Sequence, residues 1–435
     1  MNTTESSHDT AFELAVSNIR FGRGITREVG MDLADLGLKR VMVLADPTMA
    51  KLEPVAAVLE SLRRERVDFA LFDRVRVEPT DKSMWEAVEF ARDGNFDGFV
   101  AVGGGSAMDT AKVADLLVTY PAPLMSYVNA PLGEARPVPG PLKPLVAIPT
   151  TAGTGSETTG TAIFDLSELH VKTGIAHRRL KPMLGIVDPD NTATMPPLVA
   201  ASTGLDVLCH ALESYTAIPF DTRPQPARPN LRPAYQGRNP ISDLWSERAI
   251  QLVADNLLAA WRDPADLPAR TNMLLASTYA GIGFGNAGVH LPHGMSYPVS
   301  GMIHGRANGY RPAGYPTDEP MVPHGISVCL NAPAVFRFTG TACPERHLHG
   351  AELLGADVAG RSLQEAGDAL AERFVHFMKL LGLPNGLAAI GYTAADCPAL
   401  AKGTLPQHRV TKLSPRPASE ADLVRLFQES LTLWS

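Results

Sequence analysis

Residues 98–112, with the sequence GFVAVGGGSAMDTAK, predict the fold of the first half of the chain. The apolar run at the start has the length of a buried strand, and the small and apolar residues after the three glycines suit a helix. Glycines let a phosphate approach the backbone, and the first turn of a helix offers free N–H groups and a favourable dipole. The stretch therefore predicts a nucleotide-binding turn, with a tight strand-to-helix connection as the equally weighted alternative.

Short apolar runs alternate with helical segments from residue 15 to about residue 190. This alternation indicates βαβ units and a parallel sheet. After Pro196 and Pro197 the strand pattern stops and helical patterns follow, such as residues 243–261 and the segment that begins at a Ser362–Glu365 capping box. We therefore expect an α/β, Rossmann-like domain at residues 1–195 and an all-α domain at residues 196–435. The predicted strands are residues 41–45, 68–72, 98–102, 145–148 and 185–187.

A second glycine-rich turn, residues 149–157 with the sequence PTTAGTGSE, also follows an apolar run. Its hydroxyls and glycines suit a pyrophosphate or the ribose of nicotinamide. The first strand-to-helix turn lacks the GxGxxG fingerprint, but Asp46 could accept a hydrogen bond from a ribose 2′-hydroxyl, which favours NAD over NADP. A helix cap is an equal alternative for Asp46. The predicted cofactor-binding residues are Asp46, Gly103, Gly104, Gly105, Ser106, Asp109, Thr150, Thr151, Thr154, Ser156 and Lys172.

Asp206, His210, His293 and His324 are candidate ligands of a single divalent metal. Asp206 and His210 are four residues apart, so a helix places both side chains on one face. The segment around them is rich in small and apolar residues, where a carboxylate is costly unless it is paired or bound to a metal. A solvated surface pair is the alternative interpretation. Mixed carboxylate and imidazole ligands favour Fe(II) or Zn(II) over calcium or magnesium.

The 435-residue chain has the composition of an ordinary globular protein, with 45% hydrophobic and 20% charged residues. A net charge of −7 without a basic cluster argues against nucleic-acid binding, and no apolar run has the roughly 18 residues that cross a membrane. Four dispersed cysteines without CxxC spacing predict no disulfide framework. Because no lysine or arginine precedes Arg20, the N-terminus does not resemble a presequence, and we expect a cytoplasmic protein.

Two segments rich in proline or glycine interrupt the helical half, residues 218–240 and 302–320. Long segments without regular structure are often lids or binding loops. Since both lie beside candidate ligands in the sequence, we expect them to cover the site, with plain surface insertions as the alternative.

Four motifs together resemble the iron-containing alcohol dehydrogenase family, at residues 103–112, 149–157, 204–213 and 322–325. The resemblance extends over nearly the whole chain. Four longer stretches, residues 76–81, 232–243, 283–290 and 402–412, resemble the branch of this family that transfers hydride between a hydroxyacid and a 2-oxoacid. The resemblance implies an α/β domain that holds NAD and a helical domain that holds the metal, with the reaction in the cleft between them. Dehydroquinate synthase shares this architecture.

The resemblance also implies that the four candidate ligands bind the metal and take part in catalysis. Many family members have a further histidine where this chain has Tyr297. Tyr297 is the remaining catalytic candidate, since a phenol can hydrogen-bond or relay a proton, although it does not titrate near neutral pH as histidine does. For His290 we expect a supporting or purely structural role.

The reaction that the resemblance implies is oxidation of 4-hydroxybutyrate to succinate semialdehyde, with NAD passing the hydride to 2-oxoglutarate to give 2-hydroxyglutarate. Carboxylate substrates need cationic partners, for which Arg232, Arg238 and Lys172 are candidates. Three alternatives remain at this point: an alcohol dehydrogenase that releases NADH, a metal- and NAD-using lyase, and a non-catalytic binding protein. We also expect a homo-oligomer, a dimer.

Overall fold

In the part of the chain that the structure describes, the first half forms a parallel sheet of six strands and a separate antiparallel hairpin. The structure is a computed structural model, and it describes residues 8–169, 171–304, 306, 309–315 and 319–435. The strands in chain order are β1 (Asn18–Phe21), β2 (Arg40–Leu44), β3 (Asp68–Phe72), β4 (Gly98–Gly103), β5 (Leu145–Pro149), β6 (Thr161–Leu166), β7 (Val171–Ala176) and β8 (Leu184–Val187). The order across the sheet is β1–β8–β5–β4–β2–β3, and β6 pairs with β7.

Helices cover both faces of the sheet. On one face lie α1 (Val29–Asp35) and α2 (Glu53–Arg64), and on the other lie α3 (Asp81–Gly94) and α4 (Gly105–Thr119), which the short α5 (Leu124–Tyr127) follows. Alternate residues of β4 enter the two cores, Phe99 on one side and Val100 on the other, because neighbouring side chains of a strand point to opposite faces. A strand buried on both faces has no solvent-facing positions, which explains its unbroken apolar sequence.

The second half of the chain is helical and has a core of its own. Its three longest helices, α6 (Pro197–Thr216), α7 (Pro240–Arg262) and α8 (Leu267–Ala287), pack against one another. No helix among the described residues combines the length and the apolar character needed to cross a bilayer. The other helices are α9 (Leu291–Gly301), α10 (His324–Cys329), α11 (Ala332–Gly340), α12 (Pro344–Leu353), α13 (Ala366–Leu380), α14 (Cys397–Thr404), α15 (His408–Thr411) and α16 (Glu420–Glu429).

The predicted fold class is confirmed. All predicted strands are present, and their ends differ from the prediction by at most one residue. Strand β1 and the β6–β7 hairpin were not predicted. Strand β1 is a short edge strand with partly exposed residues, and in the hairpin polar residues interrupt the apolar ones. The Ser362–Glu365 capping box is present before α13, and the four cysteines are free.

The division of the chain at residues 195 and 196 stays a prediction. In the structure β8 ends at Val187 and α6 begins at Pro197. The start of the described chain contacts the helical half, since Asp9 accepts a hydrogen bond from Arg223 and the backbone N–H of Ala15 donates to Asn286.

The two glycine-rich turns lie side by side because β4 and β5 are neighbouring strands, with Gly103 opposite Pro149. The turns border a cavity of about 490 Å³ whose other wall includes residues of α6, α8, α9 and α10. The cavity therefore lies between the sheet and the helical half. It sits at the carboxyl ends of parallel strands, where open α/β sheets bind their ligands.

Candidate active site

Four polar side chains from three helices meet at the helical wall of the cavity. Helix α6 presents Asp206 and His210 one turn apart, α9 presents His293, and His324 is the first residue of α10. The nearest nitrogens of His293, His210 and His324 lie 3.6, 3.9 and 4.0 Å from oxygens of Asp206. One possible ligand atom of each side chain lies within 4.8 Å of the others. The fold thus brings all four predicted ligands together.

Each member of this cluster has a buried atom without a hydrogen-bond partner among the described residues, namely Asp206 Oδ1, His210 Nδ1, His293 Nε2 and His324 Nδ1. Burial raises the pKa of Asp206 well above its ordinary value and lowers the pKa of His210 well below its own. Burial also lowers the pKa of His293 and of His324 to about 3. Unpartnered buried polar atoms cost free energy, and neutral imidazoles are the form that binds metals. The residues therefore fit a divalent cation.

The separations between Asp206 and the three imidazoles also suit coordination. A borderline cation binds histidine nitrogens and carboxylate oxygens at about 2.0–2.2 Å, so two of its ligand atoms are at most about 4.4 Å apart. The nitrogen-to-oxygen separations of 3.6 to 4.0 Å satisfy this limit. A donor set of one carboxylate and three imidazoles suits both Fe(II) and Zn(II).

Glu213, to which sequence reasoning gave no role, fixes the orientation of His293. It is fully buried on α6, and its Oε1 lies 2.6 Å from His293 Nδ1. Its Oε2 accepts hydrogen bonds from the backbone N–H groups of His290 and His293. A proton held on Nδ1 leaves Nε2 free to act as a ligand. The spacing of residues 206, 210 and 213 on one helix face was a signal that could have identified Glu213.

Glu78, in the segment between β3 and α3, links the first half of the chain to the cluster. Its backbone has a φ of 54°, a left-handed conformation that is strained for a residue other than glycine. Its Oε1 accepts a hydrogen bond of 3.0 Å from the backbone N–H of His324, and its Oε2 forms an ion pair with Lys172. Burial opposes ionisation of Glu78, but Lys172 and His324 outweigh it and lower the pKa of Glu78. This carboxylate joins the two walls of the cavity.

Lys172, predicted to bind the cofactor or a substrate carboxylate, lines the cavity but is already paired. It contacts Glu78 and lies 3.9 Å from Asp165. Burial alone would lower the pKa of Lys172, and these two carboxylates instead raise it above its ordinary value. Lys172 is therefore already paired with carboxylates of the chain itself.

The two glycine-rich turns pack closely against each other on the other wall. A Cβ atom on Gly105 would lie 2.8 Å from Thr154 Cγ2, so a larger residue there would force the turns apart. Gly103 does not line the cavity, although the rest of the predicted cofactor residues in the turns and α4 do. These lining residues are Gly104, Gly105, Ser106, Asp109, Thr150, Thr151, Thr154 and Ser156.

Asp109 and Ser156 are engaged in a buried network beneath the turns. Asp109 accepts hydrogen bonds from Ser156 Oγ at 2.8 Å and from the backbone N–H of Ile163 at 2.9 Å. Lys112 Nζ donates to the backbone oxygens of Ser156 and Thr161. Burial lowers the pKa of Lys112 to about 8. The side chains of Asp109 and Ser156 thus hold the turns in place. Their direct contact with a cofactor stays a prediction.

Asp46 caps the turn that follows β2 and also borders the cavity. Its Oδ1 accepts hydrogen bonds from the backbone N–H groups of Thr48 and Met49, which is the capping alternative. Asp46 also lines the cavity. Its other oxygen could accept a ribose hydroxyl, which stays a prediction.

Tyr297 lies one helical turn after His293 and lines the cavity. Its Oη accepts a hydrogen bond of 2.7 Å from Arg409, a residue that sequence reasoning did not single out. Burial raises the pKa of Tyr297, so the phenol is neutral at physiological pH. His290 does not line the cavity, and its Nε2 lies 3.0 Å from Thr216 Oγ1. Its contacts are those of a structural residue.

The structure contradicts the assignment of Arg232 and Arg238 as carboxylate partners. Neither residue lines the cavity. Arg232 donates two hydrogen bonds to Asp9, at 2.9 and 3.0 Å, and so serves to hold the start of the chain. Arg238 lies near Arg346 and Asp243 instead.

The two interrupting segments reach the cavity through a few residues. Tyr235 of residues 218–240 lines the cavity, as do Gly314 and Tyr315 of residues 302–320. Within the second segment, residues 305, 307, 308 and 316–318 lie outside the described residues. A role for the whole segments as site covers stays a prediction.

A sheet that carries a nucleotide-type cleft beside a carboxylate–imidazole cluster is the arrangement of a metal-using dehydrogenase. A family model described as iron-containing alcohol dehydrogenase matches residues 17–189, and the model of the C-terminal part of the same family matches residues 234–310 and 319–431. The chain therefore belongs to the iron-containing alcohol dehydrogenase family and is an oxidoreductase. Membership implies a nicotinamide cofactor and a divalent metal.

Comparison with individual proteins also supports this family membership. The chain is 56% identical to the mitochondrial hydroxyacid-oxoacid transhydrogenase of Xenopus tropicalis, over 98% of this chain and 91% of the relative. It is 55% identical to the human protein of that name, with the same coverage of both chains. Among solved structures, the alcohol dehydrogenase from Oenococcus oeni superposes with a TM-score of 0.83 at 27% identity, covering 97% of this chain and all of that one.

The expected cytoplasmic location is wrong on this comparison, because both transhydrogenases carry the word mitochondrial in their names. That expectation rests on the composition of the chain and on the lack of lysine or arginine before Arg20, and neither feature determines location.

Proposed function

We propose that this chain transfers hydride from 4-hydroxybutyrate to 2-oxoglutarate through a nicotinamide cofactor that stays in the cleft between the two half-reactions. The products are succinate semialdehyde and 2-hydroxyglutarate. Relatives at 55 and 56% identity that are named hydroxyacid-oxoacid transhydrogenases support the two substrate classes. The main support for metal-assisted hydride transfer is the carboxylate–imidazole cluster on the wall opposite the glycine-rich turns.

We assign Asp206, His210, His293 and His324 as the metal site. A divalent cation bound there supplies polarisation of the alcohol or ketone oxygen. The chain's own contribution is a set of neutral imidazoles and one carboxylate, held in place by Glu213 beneath His293 and by the helix geometry of α6. Fe(II) is the proposed metal, on the family description, and Zn(II) is the other ion that this donor set suits.

Tyr297 is assigned as a hydrogen-bond donor to the substrate. Its oxygen already accepts from Arg409, which leaves the phenol proton to be donated into the cavity. Because burial raises its pKa, the phenol keeps this proton at neutral pH. The role of Tyr297 is therefore orientation of a substrate oxygen, without a change of its own charge.

The nicotinamide cofactor is assigned to the glycine-rich wall. Gly104 and Gly105 expose backbone at the N-terminus of α4, and Thr151 and Thr154 add hydroxyl groups nearby. A helix N-terminus with exposed N–H groups favours a pyrophosphate. Asp46 on the same wall favours NAD, since a carboxylate would repel a ribose 2′-phosphate.

A label-transfer experiment tests the proposal. The purified protein receives 4-hydroxybutyrate deuterated at C4, unlabelled 2-oxoglutarate and an excess of unlabelled free NADH. If the cofactor stays bound, deuterium appears undiluted at C2 of 2-hydroxyglutarate, which mass spectrometry measures. An alcohol dehydrogenase that releases its NADH would mix the label into the free pool and give a largely unlabelled product. Absence of any 2-hydroxyglutarate would contradict the proposed reaction altogether.

Two histidine variants control the experiment. His293→Ala removes a proposed ligand and is expected to abolish label transfer. His349→Ala removes a histidine whose side chain is 41% exposed and does not line the cavity, and it is expected to keep the wild-type rate. Equal rates in the two variants would contradict the assignment of the metal site.

A further inference from the structure

Arg409, on the short helix α15, places an incompletely partnered guanidinium on the cavity wall. Its Nη2 donates to Tyr297 Oη at 2.7 Å, and the guanidinium lies over the ring of Tyr235 at 4.9 Å from the centroid. Its Nη1 is inaccessible to solvent and has no hydrogen-bond partner among the described residues. A buried guanidinium nitrogen without a hydrogen-bond partner costs free energy unless a ligand accepts a hydrogen bond from it.

No carboxylate of the described chain forms an ion pair with Arg409, which sets it apart from the other cation on the cavity wall. Lys172 is matched by Glu78 and Asp165. Around Arg409 the neighbours are the phenols Tyr297 and Tyr235, which are neutral hydrogen-bonding groups. The positive charge of Arg409 is therefore available to an anion that enters the cavity.

Arg409 is also close to the metal cluster. Its partner Tyr297 is four residues after His293 on α9, a spacing that puts the two side chains on one helix face about 6 Å apart. A second line of contacts runs from His210 to Phe284, whose rings stack at 4.0 Å, and from Phe284 to Tyr235 at 6.4 Å. An organic acid with its reacting oxygen at the cluster can thus direct its far end toward Arg409.

Building on the proposed function, we infer that Arg409 is the carboxylate anchor of this cavity and that it serves both half-reactions. In 4-hydroxybutyrate the carboxylate carbon is three bonds from the carbon that loses hydride. In 2-oxoglutarate the distal carboxylate carbon is likewise three bonds from the carbon that receives hydride. Because the spacing is the same, one fixed guanidinium can orient donor and acceptor in turn through two parallel hydrogen bonds.

Binding of unreactive acids tests the anchor without any turnover. Calorimetry compares glutarate with pentanoate, which has the same five-carbon chain but lacks the second carboxylate. The wild type is expected to prefer glutarate by about 100-fold, equivalent to about 2.7 kcal/mol at 1.36 kcal/mol per tenfold change. Arg409→Met is expected to abolish this preference. Arg409→Lys should keep only part of it, because an ammonium cannot form the two parallel bonds.

Lys412→Met provides the matched control, since it removes a positive charge from an exposed residue of the same segment. It is expected to keep the wild-type preference. If Arg409→Met does not fold, as judged by circular dichroism, Arg409→Lys decides the question. A wild-type preference in Arg409→Lys, or in a folded Arg409→Met, would overturn the inference.

Kinetic pairs extend the test to both half-reactions. The wild type should favour 2-oxoglutarate over 2-oxopentanoate as acceptor, and 4-hydroxybutyrate over butan-1-ol as donor. In Arg409→Met both ratios of kcat/KM are expected to fall by about 100-fold, the equivalent of about 2.7 kcal/mol. If only one ratio falls, a single anchor for both substrates is refuted.

The two proposals fail separately. Glutarate preference that depends on Arg409, in a protein that transfers no label from 4-hydroxybutyrate, would overturn the proposed reaction and leave the anchor in place. Label transfer by the wild type together with an unchanged glutarate preference in Arg409→Met would overturn the anchor and leave the proposed reaction in place.

Discussion

Glu213→Gln is the substitution that most directly probes how the chain prepares its metal site. Glu213 is fully buried, and its two oxygens accept from three groups, His293 Nδ1 and the backbone N–H groups of His290 and His293. Glutamine has the same shape but a single acceptor oxygen. Whichever way the amide turns, its NH₂ group faces either the backbone N–H of His290 or the ring of His293.

Each orientation has a cost that can be worked from the contacts. An N–H group left facing another donor in the interior costs about 1–3 kcal/mol. If the NH₂ faces His293 instead, Nδ1 must become the acceptor, and the ring proton then moves to Nε2, the atom nearest Asp206. A protonated Nε2 cannot bind a metal. We therefore expect metal affinity to fall about 10- to 100-fold, as when a carboxylate behind a ligating histidine is removed.

The assay is competition for the metal with a chelator at pH 8, followed by elemental mass spectrometry of the protein. The pH is chosen because burial raises the pKa of Glu213 to about 7, so its carboxylate is ionised in the wild type at pH 8. Glu157→Gln is the matched control, since Glu157 is buried, accepts from Thr278 Oγ1 and does not line the cavity. Equal metal affinity in the Glu213 and Glu157 variants would refute the reasoning.

Three further predictions concern stability and packing. The pKa values of His293 and His324 are lowered to about 3 by burial, so between pH 6.5 and 3 the unfolded chain binds protons that the folded metal-free chain does not. Urea unfolding of the metal-free protein should therefore show stability falling with acid, and less steeply in His293→Gln; an equal slope would contradict the burial of a neutral imidazole. Gly325→Ala should cost roughly 1–3 kcal/mol and weaken metal binding, because its Cβ would lie 2.2 Å from the backbone oxygen of Ser202; an unchanged Tm would argue against this close approach. Asp9→Asn should speed limited proteolysis near the N-terminus, because the two arginines that bind Asp9 lose their charged partner; unchanged cleavage would show that other contacts hold this segment.

The parallel strands could be predicted because burial on both faces leaves a strand with an unbroken apolar sequence, as in β4. Strand β1 and the hairpin β6–β7 carry polar or partly exposed positions, and Lys172 within β7 is paired with Glu78, a residue 94 positions away that only the folded chain brings near. Local sequence contains no sign of that pairing. Strand β1 and the hairpin are therefore determined by tertiary contacts and not by the local sequence pattern.

The metal cluster could be predicted because helical spacing joins Asp206 to His210, although only the motif resemblance linked these two residues to the distant histidines. The carboxylate partners could not be predicted. Arg232 is neutralised by Asp9, a residue 223 positions away, while Arg409 gains its place from a contact with Tyr297, 112 positions away. The charge of an arginine is visible in the sequence, but whether that charge is already paired is decided by the fold.

The most direct test of the account is the dependence of transhydrogenation on bound metal in the same protein sample. The protein is stripped with a chelator and reloaded with increasing Fe(II) or Zn(II), and bound metal and label transfer are measured at each step. We expect activity to rise in proportion to bound metal and to saturate at one ion per chain, because the described residues contain one such cluster, Asp206 with three histidines. Full label transfer in protein that retains no divalent metal would contradict the account.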